Sequence, residues 1–228
     1  MQSNFTLFDA THLTILAAIP FTAAVAGAAM RRRPAAARWI RYAMGGALAM
    51  NELIWWTYRY STEGNRFPEG LPLQLCDVTL WLTVAATLRL KQWPFEFAYF
   101  TGLAGTGMAT LTPDLWAPWP SYPSIYFFVA HGLILACVLM LCWGRQMRPR
   151  QGCLWHVFVV LNGYALFAGV FNWMFGTNYM YLRQKPRGAS ILDFLGPWPW
   201  YVATGELVAF ALFVLLWLPW RVSKYRES

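Results

Sequence analysis

Cys76 and His131 are the two side chains of this chain best suited to covalent chemistry with one another. A thiol becomes a useful nucleophile when a base or a positive potential favours its thiolate, and imidazole is the usual partner. Asp77, beside the cysteine, opposes the thiolate unless its charge is turned away or neutralised. On spacing alone the pair is one reading among three, because a single histidine in an apolar helix also serves as a packing or relay residue. Glu52, His131 and Glu206 are the set a proton-coupled carrier would use, and a lipid-binding protein without turnover needs neither arrangement. Asn51, Asn172 and Asn178 add polar groups in apolar surroundings, and Arg183 and Lys185 follow directly on one apolar stretch. The cysteines show no paired metal-ligand spacing, so no metal and no cofactor is expected, and Cys137, Cys142 and Cys153 read as small packing residues.

The elements that position these groups follow from composition. Of 228 residues, 18 are Lys or Arg, 10 are Asp or Glu and 58% are hydrophobic, so charge is present at about half the share of a soluble domain. No charge interrupts Ala10 to Met30, Phe97 to Pro113, Leu115 to Gly144 or Gln151 to Leu182, and a bilayer is crossed by ~20 apolar residues. This pattern excludes a water-soluble fold, a disordered chain and a nucleic-acid binder working through a basic surface. The first run reads as a membrane helix and not a cleaved signal, because Asp9 precedes it and Arg31, Arg32 and Arg33 follow it.

Proline, glycine and charge breaks divide the chain into seven predicted spans, at about 10–30, 39–58, 72–90, 94–112, 121–143, 152–176 and 198–220. Pro72 suits the start of the third. With the N-terminus outside, the inner segments hold thirteen of the basic residues, including Lys224 and Arg226. The outer segments hold five, Arg59, Arg66, Arg183, Lys185 and Arg187, offset by five acids. The expectation is an all-α, polytopic membrane protein with seven helices in one bundle over 1–228, the C-terminus cytoplasmic, and the net charge of +8 expressing topology. The sequence does not specify an oligomeric state.

This topology assigns depths. Asn51 and Glu52, Cys76 and Asp77, Asn172, Asn178 and Glu206 fall in the outer half, His131 lies ~15 Å below the outer start of its helix, and Asn162 is at mid-depth. His156 and Glu96 sit at helix ends, near water and headgroups. Cys76, Thr79, Thr83 and Thr87 share one helical stripe, and Asn162, Gly169, Asn172 and Gly176 another, so each stripe should face protein or water. Gly102 with Thr106 and Gly105 with Ala109 form small-xxx-small pairs that suit close helix packing.

Three segments carry a family resemblance: Leu71-Pro72-Leu73-Gln74-Leu75-Cys76-Asp77, His131 within Phe-Phe-Val-Ala-His-Gly, and Gly176-Thr177-Asn178-Tyr179-Met180-Tyr181-Leu182-Arg183-Gln184-Lys185-Pro186. They resemble the bacterial YwaF family of integral membrane proteins over nearly the whole chain, with the Asn-Tyr-Met-Tyr-Leu segment as the most specific part. Animal relatives are phospholipid acyltransferases with a Cys and a His at the positions of Cys76 and His131, and more distant ones hydrolyse fatty-acid esters with a Thr and a His. Family members commonly carry a His where this chain has Gln74. The resemblance implies a multi-pass protein of the bacterial inner membrane that acts on phospholipid and lysophospholipid through an acyl thioester on Cys76, with His131 as base. In that mechanism Arg183 and Lys185 are candidates to hold the lipid phosphate, and Asn51, Asn172 or Asn178 to meet the oxyanion.

Overall fold

A computed structural model describes residues 5–64, 66–186 and 190–223. Arg187, Lys224 and Arg226 of the charge count lie outside them. The described residues form helices and connecting segments only, and the helices track the apolar runs. They are α1 (Ala10–Arg32), α2 (Ala37–Glu63), α3 (Leu75–Arg89), α4 (Gln92–Thr101), α5 (Gly107–Leu111), α6 (Tyr122–Trp143), α7 (Cys153–Phe175) and α8 (Trp200–Ser223). Four of them, α1, α6, α7 and most of α8, are long and apolar enough to cross a membrane by length and composition.

Two expected spans differ from the elements observed. Pro72 does not start α3, because it lies among the connecting residues 66–74 and Gln74 is the N-cap. The Asp77 carboxylate accepts from the Gln74 N–H at 3.1 Å, so a capping contact and not proline sets the helix start. The predicted 94–112 helix is interrupted by a π-helical turn, Gly102–Thr106, between α4 and α5. The small-residue pairs of the sequence fall on this turn, and a Cβ added at Gly102 would lie 3.2 Å from the Ile134 Cγ2 of α6. Glycine there lets the wider turn sit against α6.

The centre of the bundle is α6. Two thirds of its most apolar window is buried, against 17% for α1, 22% for α7 and 11% for α8. It packs against α1, α2, α3, α4 and α5. Behind it α4 is buried at every position from Phe95 to Thr101, with Phe100 against Phe213 of α8. The outward faces of α7 and α8 carry exposed Leu166, Trp173, Leu207 and Leu215, which suits lipid as solvent.

Neighbouring directions are fixed by polar contacts. Arg41, in the first turns of α2, donates to Thr87 O at 2.9 Å and Leu88 O at 3.3 Å, satisfying carbonyls at the end of α3 and making the two helices antiparallel. Thr79 Oγ1 meets Thr101 Oγ1 at 2.9 Å between α3 and α4. Thr83 donates back to Thr79 O within α3, so the threonine stripe faces protein, in part through hydrogen bonds between helices.

Glu96 departs from its expected place at a wet helix end. It is 2% exposed, and Arg150 grips it through Nε at 2.8 Å and Nη2 at 2.8 Å, with Gln92 Nε2 and the Arg150 N–H also donating. These bonds raise the pKa of the Arg150 guanidinium further. A buried carboxylate needs such a partner, and the loop before α7 supplies it.

Candidate functional site

Cys76 occupies the first turn of α3, where unpaired backbone N–H groups create positive potential. Asp77 follows it, but its carboxylate is tied to the Gln74 N–H at the helix start. His131 lies on α6, 8% exposed, with Nδ1 2.8 Å from Phe127 O and its ring stacked on Phe127 at 4.2 Å between centroids. A carbonyl only accepts, so Nδ1 carries the proton and Nε2 keeps its lone pair, with no hydrogen-bond partner among the described residues.

Both residues sit about one turn from a common contact. Thr79 and Ile134, each three residues further along its helix, both approach Gly102, at 3.7 and 3.2 Å from the position of an added Cβ. In each helix positions i and i+3 share a face, so Cys76 and His131 lie on the α3 and α6 faces turned toward the π-helical turn, ~4.5 Å along the axis from that contact.

The segment after α7 lies against the start of α3. Met180 N donates to Gln74 Oε1 at 3.0 Å, Tyr179 OH to Pro68 O at 2.7 Å, and Tyr164 OH to Leu73 O at 2.9 Å. Gln74 thus anchors this strap. From the other side Tyr181 OH donates to Asp114 Oδ2 at 3.1 Å, and Tyr201 OH to Tyr181 O. Burial, together with the Asp114 carboxylate, pushes the Tyr181 phenol up, which keeps it a donor. Met180 and Tyr181 hold φ of 56° and 53°, left-handed values that non-glycine residues adopt only where surroundings over-determine them.

Asn172 shapes the strap. It is fully buried; its Nδ2 donates to Tyr179 O at 2.9 Å, and its Oδ1 accepts from Thr177 Oγ1 and Tyr179 N at 2.8 Å each. Asn178 does the same for the next turn, donating to Gln184 O and accepting from the Arg183 and Gln184 N–H groups. Arg183 donates to Asn172 O at 3.0 Å and so caps α7, while the Lys185 ammonium lies 5.5 Å over the Tyr201 ring.

On the other flank, Glu52 is fully buried in α2 and its Oε2 accepts from Tyr126 OH at 2.5 Å, with Tyr126 stacked on Trp55 at 4.2 Å. Its Oε1, and the neighbouring Asn51 Nδ2, have no partner among the described residues. Glu206 is elsewhere: it accepts from Asn162 Nδ2 at 3.3 Å between α8 and the exposed face of α7. Glu52, His131 and Glu206 therefore make separate contacts and form no hydrogen-bonded chain among the described residues.

Sequence reasoning missed three features. His12 is fully buried at the start of α1, accepting from Phe8 N–H and placing Nε2 2.8 Å from Thr110 O; the Asp9–His12 spacing of a capped helix start was its signal. Tyr126, the partner of Glu52, gave no signal beyond a tyrosine in an apolar helix. The third is a cavity of about 510 Å³ between the C-terminal end of α2 and the loop to α3, lined among others by Trp55, Trp56, Arg59, Arg66 and Asp77. Arg59 and Arg66 were visible as basic residues on the face predicted to be poor in them.

No curated protein and no solved structure matches the chain. A family model does match it, over residues 5–217, nearly its whole length. With its apolar helices, this chain belongs to the TMEM164 family, a family of membrane proteins.

Proposed function

We propose that this protein is an integral membrane lipid acyltransferase or lipid hydrolase in which Cys76 is the nucleophile and His131 the base. The observation that carries the reading is the state of His131: Nδ1–H is committed to Phe127 O and Nε2 has no partner among the described residues, while Ile134 and Thr79, one turn further along α6 and α3 than His131 and Cys76, both approach Gly102. The chemistry balances. Nε2 takes the thiol proton, sulfur bonds to the ester carbonyl carbon of a phospholipid, and the lysolipid oxygen leaves with the proton from His131. The thioester then passes its acyl group to a lysophospholipid hydroxyl or to water: Nε2 takes the acceptor's proton as its oxygen bonds to the carbonyl carbon, the C–S bond breaks, and the proton passes from Nε2 to the departing Cys76 sulfur. Of the three candidate oxyanion donors, Asn51 alone has a side-chain NH2 with no hydrogen-bond partner at all among the described residues, which favours it over Asn172 and Asn178.

The setting belongs to the same proposal: a YwaF-like bacterial protein of the cell membrane, with seven spans, N-terminus outside and C-terminus cytoplasmic. In it α2, α3 and the α4–π–α5 helix cross alongside the four more apolar helices, and an acyl chain enters from the bilayer without leaving hydrocarbon. A carrier is the competing class, but the separate surroundings of Glu52, His131 and Glu206 give it less support.

Purified protein given a labelled phospholipid should acquire an acyl adduct on Cys76 that hydroxylamine releases. His131→Ala should suppress it, and Cys137, Cys142 and Cys153 should be dispensable. Absence of the adduct across several donor lipids, from folded protein, would remove the basis for the mechanism.

A further inference from the structure

We infer that the cavity between α2 and residues 66–72 is a phosphate-binding site, formed by Arg59 and Arg66 with Glu63 as an internal stand-in for the ligand. The inference deepens the lipid reading and rests on it for the source of the phosphate, but not for the site itself. Arg59 Nη2 and Arg66 Nη1 lie 3.3 and 3.4 Å from the same atom, Glu63 Oε2, so both guanidinium groups can reach one anionic oxygen. Both contacts are long and single, whereas a fitted arginine–carboxylate pair is short and bidentate, as Arg150 with Glu96 is at 2.8 Å. Each guanidinium has five donors, so most remain unused here. Two cations share one carboxylate, and a phosphate presents more oxygens in a geometry that two forks can clasp.

The surroundings suit a lipid phosphate. Arg59 lies over Trp55 at 5.9 Å, and Trp55 and Trp56 give the cavity an aromatic wall on the side of α2. Asp77, which follows Cys76 on α3, lines the same cavity, so a headgroup held there has its glycerol esters next to the start of α3. Arg183 and Lys185, the candidates from sequence, are occupied instead by the end of α7 and the Tyr201 ring.

The test is binding, on full-length protein in neutral detergent and in a Cys76→Ala background, so that turnover does not enter. A phospholipid and the diacylglycerol with the same chains are compared by retention in native mass spectrometry, with inorganic phosphate as competitor. Arg59→Gln with Arg66→Gln should weaken phospholipid retention at least about tenfold, the worth of one charge-assisted hydrogen bond. Glu63→Gln should strengthen it, because the stand-in is gone, and this variant tests the site even if the double variant fails to fold. Competition by millimolar inorganic phosphate would support the site with free phosphate as its source; no competition supports the lipid headgroup. Equal retention of phospholipid and diacylglycerol, or Glu63→Gln protein that binds no tighter, would overturn the site. In a second arm with Cys76 intact, an acyl adduct on Cys76 unaffected by the arginine variants would sink the site and leave the enzyme reading standing. Arginine-dependent binding without any adduct would do the reverse.

Discussion

Asn172→Ala should open the strap over the start of α3 and expose Cys76. The side chain is fully buried and makes three hydrogen bonds, to Tyr179 O, Tyr179 N and Thr177 Oγ1. Truncation to Ala leaves the N–H, the C=O and the hydroxyl without that partner, each orphan costing about 1 kcal/mol or more, for a total of ~3 kcal/mol. The two left-handed residues that follow, Met180 and Tyr181, resist closure further once the turn before them is released. If opening is local, ~3 kcal/mol raises the open population about a hundredfold. The assay is the rate of maleimide modification of Cys76 in protein with Cys137, Cys142 and Cys153 changed to Ala. Thr177→Val removes only one of the three bonds and should give about a tenfold increase or less. A folded Asn172→Ala protein whose Cys76 reacts within about threefold of the parent would refute the idea that this network holds the strap closed.

Other perturbations have equally definite outcomes. Arg150→Ala leaves the buried Glu96 carboxylate with only Gln92 and the backbone N–H of residue 150, and should cost about 3–5 kcal/mol in detergent-denaturant unfolding, with Glu96→Gln in the same chain recovering much of it; a loss below about 1 kcal/mol would show that water reaches Glu96. For the proposed topology, a reporter fused after Ser228 should be cytoplasmic, and a cysteine placed in the 177–186 stretch should react with an impermeant reagent from outside; finding both termini on one side would reject seven spans.

Legibility from sequence followed the energetic scale of each feature. The long apolar runs announce their helices because some twenty side chains contribute to one transfer free energy, and α1, α6 and α7 begin and end within about two residues of the expected bounds. The start of α3 was misread because a proline signals only a permitted φ, whereas the Asp77–Gln74 capping contact satisfies an N–H that otherwise goes unpaired. The π turn at Gly102–Thr106 was visible as a run of small residues but not as a change of hydrogen-bond period, which depends on how closely α6 approaches.

The polar residues taught the opposite lesson, because at membrane depth residue type announces that a partner exists without saying which. Asn172 and Glu206 are both polar groups on apolar helices, and sequence put both beside Cys76. One makes three hydrogen bonds with a turn five to seven residues away in the chain, and the other accepts from Asn162 on the exposed face of α7. A group whose hydrogen bonds are all made at home is a poor donor to a transient oxyanion, since it must first break one of them. Chemistry is therefore better sought where capacity is left over: the free Nε2 of His131, the unpaired Nδ2 of Asn51, and the arginines that share one oxygen of Glu63. All three are on α2, α6 or the loop that leads into α3, and the strap after α7 closes against the same helix start. Under the proposed mechanism the reactive groups therefore fall on α2, α3 and α6 and the scaffold on α7 and α8, and the strap, which is tied to the residue two before Cys76, is the element whose opening bears on access to it.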